Sequence, residues 1–393
     1  MRDAAIAEPA EAPAWIGEAP RLGQSAAVMF VGIVGVMIAG LQPQLLGALE
    51  QEGRLQAVQL GQAATAELLT MGLAAGFSGA LLKPRQLRLI GLLAGLALAV
   101  VDLLTARLSG EAIIVARAVA GVPSGVMMWI TLCLIARAPR PERWSGAYLT
   151  LQTLAQFLLA TLLSAFVIGR AGANGGWLAL AGVSATAGLV ALAAPAQLGP
   201  LPRPEGGSGL PPARGFVALT ACFLFLAFIV GVWVYAEPLS KQAGHPPSVV
   251  GAAVSLSLAF QVAGGAAATV LASRLRWFPT LLVCTVLDLA LLAAFATLPG
   301  PTMFLAASAA FGFIWLFLMP FLVPMTIEAD PSRRAAVLLG GAQLLGGSLG
   351  PLMASLVVTD ADARGALAFG AGCLVAGFAL VAGLHLRPAR GRQ

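Results

Sequence analysis

Twelve stretches of mostly apolar residues, each long enough to form a membrane-crossing helix, follow one another along this chain, and short loops carrying Arg and Lys divide them. A helix that crosses bilayer hydrocarbon needs about 20 such residues. The stretches are 25–47, 57–81, 87–107, 112–136, 144–168, 176–194, 216–237, 247–272, 278–298, 301–326, 334–358 and 365–386. Charged residues are 10% of the chain, against about 25% in a soluble domain. A soluble core of this length could not hide so much apolar surface, so lipid is the expected solvent. The 46 glycines fit helices that pack through small residues. The expected fold is an all-α membrane protein of twelve transmembrane helices.

The basic residues orient it. With both termini cytoplasmic, the cytoplasmic side holds 17 Lys and Arg, among them Lys83, Arg85, Arg88, Arg137, Arg140 and Arg143. The outer side holds 5: Arg54, Arg107, Arg170, Lys241 and Arg364. This follows the positive-inside rule and predicts the inner (cytoplasmic) membrane as the location. Topology also accounts for the net charge of +6, so nucleic acid is not expected as a partner. Residues 1–24 lack a basic start and an apolar run, so they read as a cytoplasmic tail and not as a signal peptide.

The Pro- and Gly-rich stretch 198–214 reads as a central cytoplasmic loop. It divides a bundle over 25–197 from a second over 215–387, with 388–393 as a tail. The two bundles repeat one another. Ile33-Val34-Gly35-Val36 with Pro43 matches Ile229-Val230-Gly231-Val232 with Pro238. Arg85-Gln86-Leu87-Arg88 matches Arg274-Leu275-Arg276, Trp129 matches Trp315, and Gln152 matches Gln343. Transporters built from two similar halves place the substrate between them, near the midplane.

Twelve spans in a 6+6 repeat resemble the major facilitator superfamily over residues 22–387. The fourth span carries a more specific likeness, Ile113…Arg117-Ala118-Val119-Ala120-Gly121-Val122-Pro123-Ser124-Gly125. The resemblance implies a role in proton coupling for Arg117. It also implies a cavity lined by helices 1, 4, 5, 7, 8, 10 and 11. Two family motifs depart from pattern. Gly79-Ala80-Leu81-Leu82-Lys83-Pro84-Arg85 lacks the usual Asp. The Gly-Pro motif of the fifth helix is absent, while Gly346…Gly350-Pro351 stands on the eleventh.

An ionisable group inside lipid costs roughly 3 kcal/mol or more, so each needs a reason. Glu67 is either a proton carrier or a structural carboxylate paired with Arg117 or a hydroxyl. Asp102 can pair with Arg107 or Arg117. Asp288 stands on the helix corresponding to that of Asp102, where a shared packing role competes with proton coupling. Arg117 keeps its proton, so it holds an anion, tunes a carboxylate or locks helices together. Glu237, before Pro238, can gate the outer end of the cavity.

Gln42, Gln44, Gln152, Gln156, Gln261 and Gln343 are candidate solute ligands, since an amide both donates and accepts; the competing role is an interhelical hydrogen bond. Tyr235, Trp233, Phe311 and Trp315 can form an aromatic wall. Pro320, Pro324 and Pro351 should bend their helices; Pro43, Gly121, Pro238, Pro320, Gly350 and Pro351 are candidate gating positions beside Glu237. Trp144, Trp177 and Trp277 read as interface anchors without chemistry.

Cys133, Cys222, Cys284 and Cys373 lie in apolar runs without ligand spacing, so neither disulfide nor metal site is expected. His245 and His385 stand far apart and no nucleotide or hydrolase motif is present, so neither an enzyme nor a cofactor is expected. No cluster of oxygen ligands suggests sodium. The expected function is alternating-access transport of a small organic solute by a proton-coupled monomer. An apolar, aromatic lining favours efflux, and the missing fifth-helix motif points back to uptake. The competing class is a non-transporting protein on the same fold, an assembly factor or sensor.

Overall fold

The computed structural model describes residues 15–139, 141–200, 210–271, 274–331 and 334–386. The tail 388–393, residues 1–14 of the other tail and 201–209 of the central loop lie outside the described residues. Among those described, the secondary structure is helical apart from one isolated bridge between Arg85 and Gln197.

Helix α1 (Leu22–Gly35) and α2 (Met37–Gln51) form one rod that breaks at Val36. Then come α3 (Ala57–Leu81), α4 (Leu87–Thr105) and α5 (Glu111–Ile135). Helix α6 (Pro141–Leu162) runs through a π-helical turn (Leu163–Ile168) into α7 (Gly169–Val190). A second broken rod follows, α8 (Ala213–Trp233) and α9 (Ala236–Gln242). Next are α10 (Pro247–Leu271), α11 (Trp277–Ala296) and α12 (Pro301–Leu318). A 3-10 turn (Met319–Phe321) leads to α13 (Leu322–Ala329), and α14 (Arg334–Ser355) and α15 (Gly365–Leu386) complete the chain.

Among the described residues, nine helical segments are long and apolar enough to cross a membrane. One of them, Gly146–Ala193, has 48 residues. At the helical rise this is about 72 Å of chain, more than twice the hydrocarbon thickness. The path breaks at Gly172, whose φ of 61° and ψ of −160° suit only a residue without a Cβ. Glu52 Oε1 accepts the Ala173 N–H at 2.7 Å, capping the helix that restarts there. Large apolar side chains such as Leu81, Leu93, Val115, Leu189 and Val270 stand exposed on the outside. Surface of this kind belongs against lipid. The chain is a multi-pass membrane protein.

Small residues set the helix spacing, as in other membrane bundles. A Cβ on Gly121 of α5 would overlap Thr70 Oγ1 and the Glu67 carbonyl of α3; Gly125 meets the Met71 carbonyl one turn on. Gly95 of α4 lies against the backbone of Gly188 in α7. Gly346 and Gly350 of α14 lie against the carbonyls of Phe223 and Ala227 in α8. The expected gating positions Gly121 and Gly350 are thus points of closest helix approach. Pro320 falls in the 3-10 turn, while Pro43 and Pro351 stay inside α2 and α14.

Both rod breaks differ from the expected continuous first and seventh spans. The first falls seven residues before Pro43, at Val36, and the second at Val234 and Tyr235, just before Pro238. Their backbone angles are alike: φ −106°, ψ 11° at Val36 and φ −93°, ψ 11° at Tyr235.

Overpacking against backbone costs about 1–3 kcal/mol or more. Gly121→Val should therefore lower the melting temperature of detergent-purified protein by several degrees. Gly72→Ala, which meets nothing within 4 Å, should leave it unchanged.

Candidate functional site

The close approach of α3 to α5 brings three charges together. Arg117, fully buried on α5, donates from Nη1 to Glu67 Oε1 at 3.2 Å and from Nη2 to Asp102 Oδ1 at 3.1 Å. Nη2 also donates to Thr105 Oγ1 at 2.7 Å, and Ser184 of α7 donates to Asp102 Oδ2 at 3.0 Å. Beneath the guanidinium lies Trp177, its ring centroid 4.4 Å from Cζ. One site thus draws on α3, α4, α5 and α7. Asp102 pairs with Arg117, not Arg107. Trp177 is no interface anchor: it is wholly buried, one turn past the break at Gly172, and supports the cation.

Two carboxylates against one guanidinium leave an uneven set. Both Asp102 oxygens are engaged, whereas Glu67 Oε2 is buried without a partner. A small cavity, of single-water size, adjoins it, lined by Gly35, Ile38, Glu67, Asp102, Ser124 and Ser184 among others. The geometry leaves one unpartnered carboxylate oxygen on a residue that lines a small void.

The C-terminal helices carry a counterpart without the charges. Gly312 of α12 meets the carbonyl of Ser257 in α10 as Gly121 meets that of Glu67. Four residues before each glycine stand Arg117 and Ser308. Counted from the helix starts, Asp102 and Thr105 of α4 match Leu292 and Phe295 of α11. The counterpart is an apolar pocket lined by Trp233, Ser257, Phe295, Phe304, Ser308 and Phe311 among others. Asp288 is therefore not the equivalent of Asp102; its place matches Leu98, one turn away. It is buried, and no hydrogen bond or ion pair reaches it among the described residues.

The candidate amides separate into two kinds. Gln156 donates to the Val36 carbonyl at the rod break, 3.0 Å, and Gln44 to the Ala160 carbonyl ahead of the π turn, 3.1 Å. Both answer irregular backbone, Gln44 with its Oε1 left buried and without a partner. Gln42 and Gln261 are buried with orphaned atoms, both Nε2 and Oε1 in Gln42 and Nε2 in Gln261. Gln152 and Gln343 are half-exposed. Trp315 packs edge-on against Trp233 and Phe311, at centroid distances of 5.8 and 6.4 Å, which joins three of the four expected aromatic-wall residues. Tyr235 points elsewhere, toward Gly61 and Pro351.

The second rod break reaches across to the N-terminal helices. Pro43 has no N–H to give the Ala39 carbonyl four residues before it. Trp233 Nε1 donates to that carbonyl at 3.3 Å. Further along, Gln51 donates to Glu237 Oε1, and Lys241 meets Glu50 at 2.6 Å. The Ala57 N–H at the start of α3 donates to Asp360 at 3.1 Å. Gln242 at the end of α9 donates to Asp362 at 3.0 Å. Together with the hydrogen bonds of Arg364, it holds the Asp362 carboxyl well below the usual range. Among the described residues, the bonds of Trp233, Glu237, Lys241 and Asp360 that join the two sets of helices run along α2 toward the end of the bundle where α2 finishes and α3 begins.

No family model and no curated protein matches the sequence. Solved structures do. The nucleoside transporter NupG superposes with TM-score 0.69 at 13% identity, covering 92% of this chain and 100% of that one. The fold is that of the major facilitator superfamily. A bacterial homolog of the human lysosomal transporter Spinster, inward-facing and unoccupied, superposes on this facilitator fold with TM-score 0.53 at 14% identity, covering 93% and 94%. Both are transporters and neither is an enzyme.

Removing one partner of a buried ion pair strands the others at about 3–5 kcal/mol. Arg117→Ala should sharply reduce melting temperature and yield in detergent. The triple variant Arg117→Met, Glu67→Gln, Asp102→Asn should recover much of the loss, because no charge is left uncompensated.

Proposed function

We propose that this chain is a proton-coupled secondary transporter of a small, uncharged organic solute, with Glu67 as the proton carrier. The observation that carries the reading is the buried three-charge cluster with its one unpartnered carboxylate oxygen. As drawn, Glu67, Asp102 and Arg117 sum to −1. A proton on Glu67 Oε2 makes the set neutral and weakens the hold of Arg117 on α3. Proton occupancy then bears on helix packing, which is what coupling requires. Asp288, lone and buried in the other set of helices, is a second proton site on this reading.

The helices make twelve crossings with both termini cytoplasmic, as the Lys and Arg distribution supports, in the inner membrane and as a monomer. The end closed by Trp233, Glu237 and Lys241 is then the outer end, and the conformation is inward-facing. Protons entering down their gradient drive the solute outward, a direction favoured by the apolar, aromatic lining around Trp233, Phe311 and Trp315. Nucleosides are among the first solutes to test, given the fold shared with NupG.

In proteoliposomes with an imposed pH gradient, the wild type should concentrate its solute against a gradient. Glu67→Gln and Asp288→Asn should keep solute exchange and lose the pH-driven accumulation. Normal accumulation in both variants overturns the site assignment.

Trp233→Phe keeps the ring and removes the hydrogen bond to the Ala39 carbonyl. It should shift the population toward the outward-open state. With the native cysteines removed and Gln51→Cys as reporter, labelling by an impermeant thiol reagent should become several-fold faster than in the Trp233 background.

A further inference from the structure

Gln42 is the one side-chain amide among the described residues whose nitrogen and oxygen are both buried and both without a partner. It is wholly inaccessible in this conformation. Burying an amide without hydrogen bonds is among the more expensive arrangements a bundle can hold. Other glutamines are better satisfied: Gln51, Gln156 and Gln242 each bond a group on another helix or loop, and Gln44 bonds through its nitrogen while its Oε1 is left without a partner.

Gln42 lies inside α2, directly before Pro43. Ala39 and Gln42 are three apart, so they share a side of α2. The Ala39 carbonyl carries the Trp233 indole, and Trp315 stands edge-on to that indole. Gln42 therefore stands one turn along α2 from the carbonyl that holds the Trp233 indole. The charged groups nearest along α2 and α9 are engaged with the opposite set of helices, Glu237 with Gln51 and Lys241 with Glu50.

We infer that Gln42 is a solute-recognition residue, and that the solute is a flat, uncharged molecule presenting an adjacent donor and acceptor: a carboxamide, lactam or imide on a ring. Such an edge satisfies both orphaned atoms at once, while the ring meets the Trp233 and Trp315 faces. The inference rests on the transporter reading above and names its substrate class.

The test is thermal stabilisation of full-length protein in detergent by nicotinamide, 2-pyridone and uracil. Each is paired with a donor-blocked partner: 3-acetylpyridine, N-methyl-2-pyridone and 1,3-dimethyluracil. At least one of the three should stabilise the wild type, with its blocked partner tenfold weaker or worse. Gln42→Leu and Gln42→Met should melt at or above the wild type when unliganded, because an apolar side chain suits an unsatisfied site, and should lose the discrimination. The inference is overturned if none of the three stabilises the wild type, if blocked partners bind equally, or if the variants bind as the wild type does. It is equally overturned if both variants melt well below the wild type, since Gln42 would then be a structural bond. These readouts need no flux, so they fail separately from the transport reading, which falls when no solute moves with protons.

Discussion

The guanidinium of Arg117 keeps its charge under any condition the protein meets, and it is buried in a bundle with lipid for solvent. Four helices are arranged around that fact. Glu67 and Asp102 supply the opposing charges, Thr105 a further acceptor and Trp177 a π face. The glycines at 121 and 125 let α5 come close enough to α3 for Arg117 to reach Glu67. Gly95 against Gly188 does the same for α4 and α7, which puts Ser184 on Asp102.

The counterpart in the C-terminal helices shows that packing alone does not require charge there. The same glycine approach, Gly312 against Ser257, supports a neutral pocket of two serines and aromatic rings. A buried ion set is weak evidence for stability, so its presence on one side only points to a working role. The irregular backbone is placed elsewhere. The rods of α1–α2 and α8–α9 break at similar backbone angles, and in the first rod the break and Pro43 each leave a carbonyl that a side chain answers. Val36 is met by Gln156 from within the N-terminal helices, and Ala39 by Trp233 from across the interface. The second bond must open for the two sets of helices to part.

Much of this was legible in the residues. The membrane-crossing character could be read because lipid demands long apolar runs, and the scarcity of charge made Arg117 one of the two partners open to each acid. The rest depended on register. Trp177 looked terminal because the apolar run begins at 176, whereas the ring is buried beneath Arg117, one turn past the break at Gly172. Thr105 and Ser184 look like any other hydroxyls until α4 and α7 are placed side by side. Asp288 seemed to mirror Asp102, and a one-turn difference between the helices separates them. The rod breaks had no local mark, since the first falls seven residues before its proline. Gln44 and Gln156 resembled Gln42 in sequence, and only the irregular backbone opposite them shows which amides are already spent.

Infrared difference spectroscopy of the carboxylic C=O stretch, recorded on reconstituted protein as pH is lowered, asks directly whether Glu67 takes up the proton. The account predicts a band from a buried, weakly hydrogen-bonded carboxylic acid that grows on acidification and is missing in Glu67→Gln. A titration in Glu67→Gln that reproduces the wild-type band would place the proton elsewhere and contradict the account.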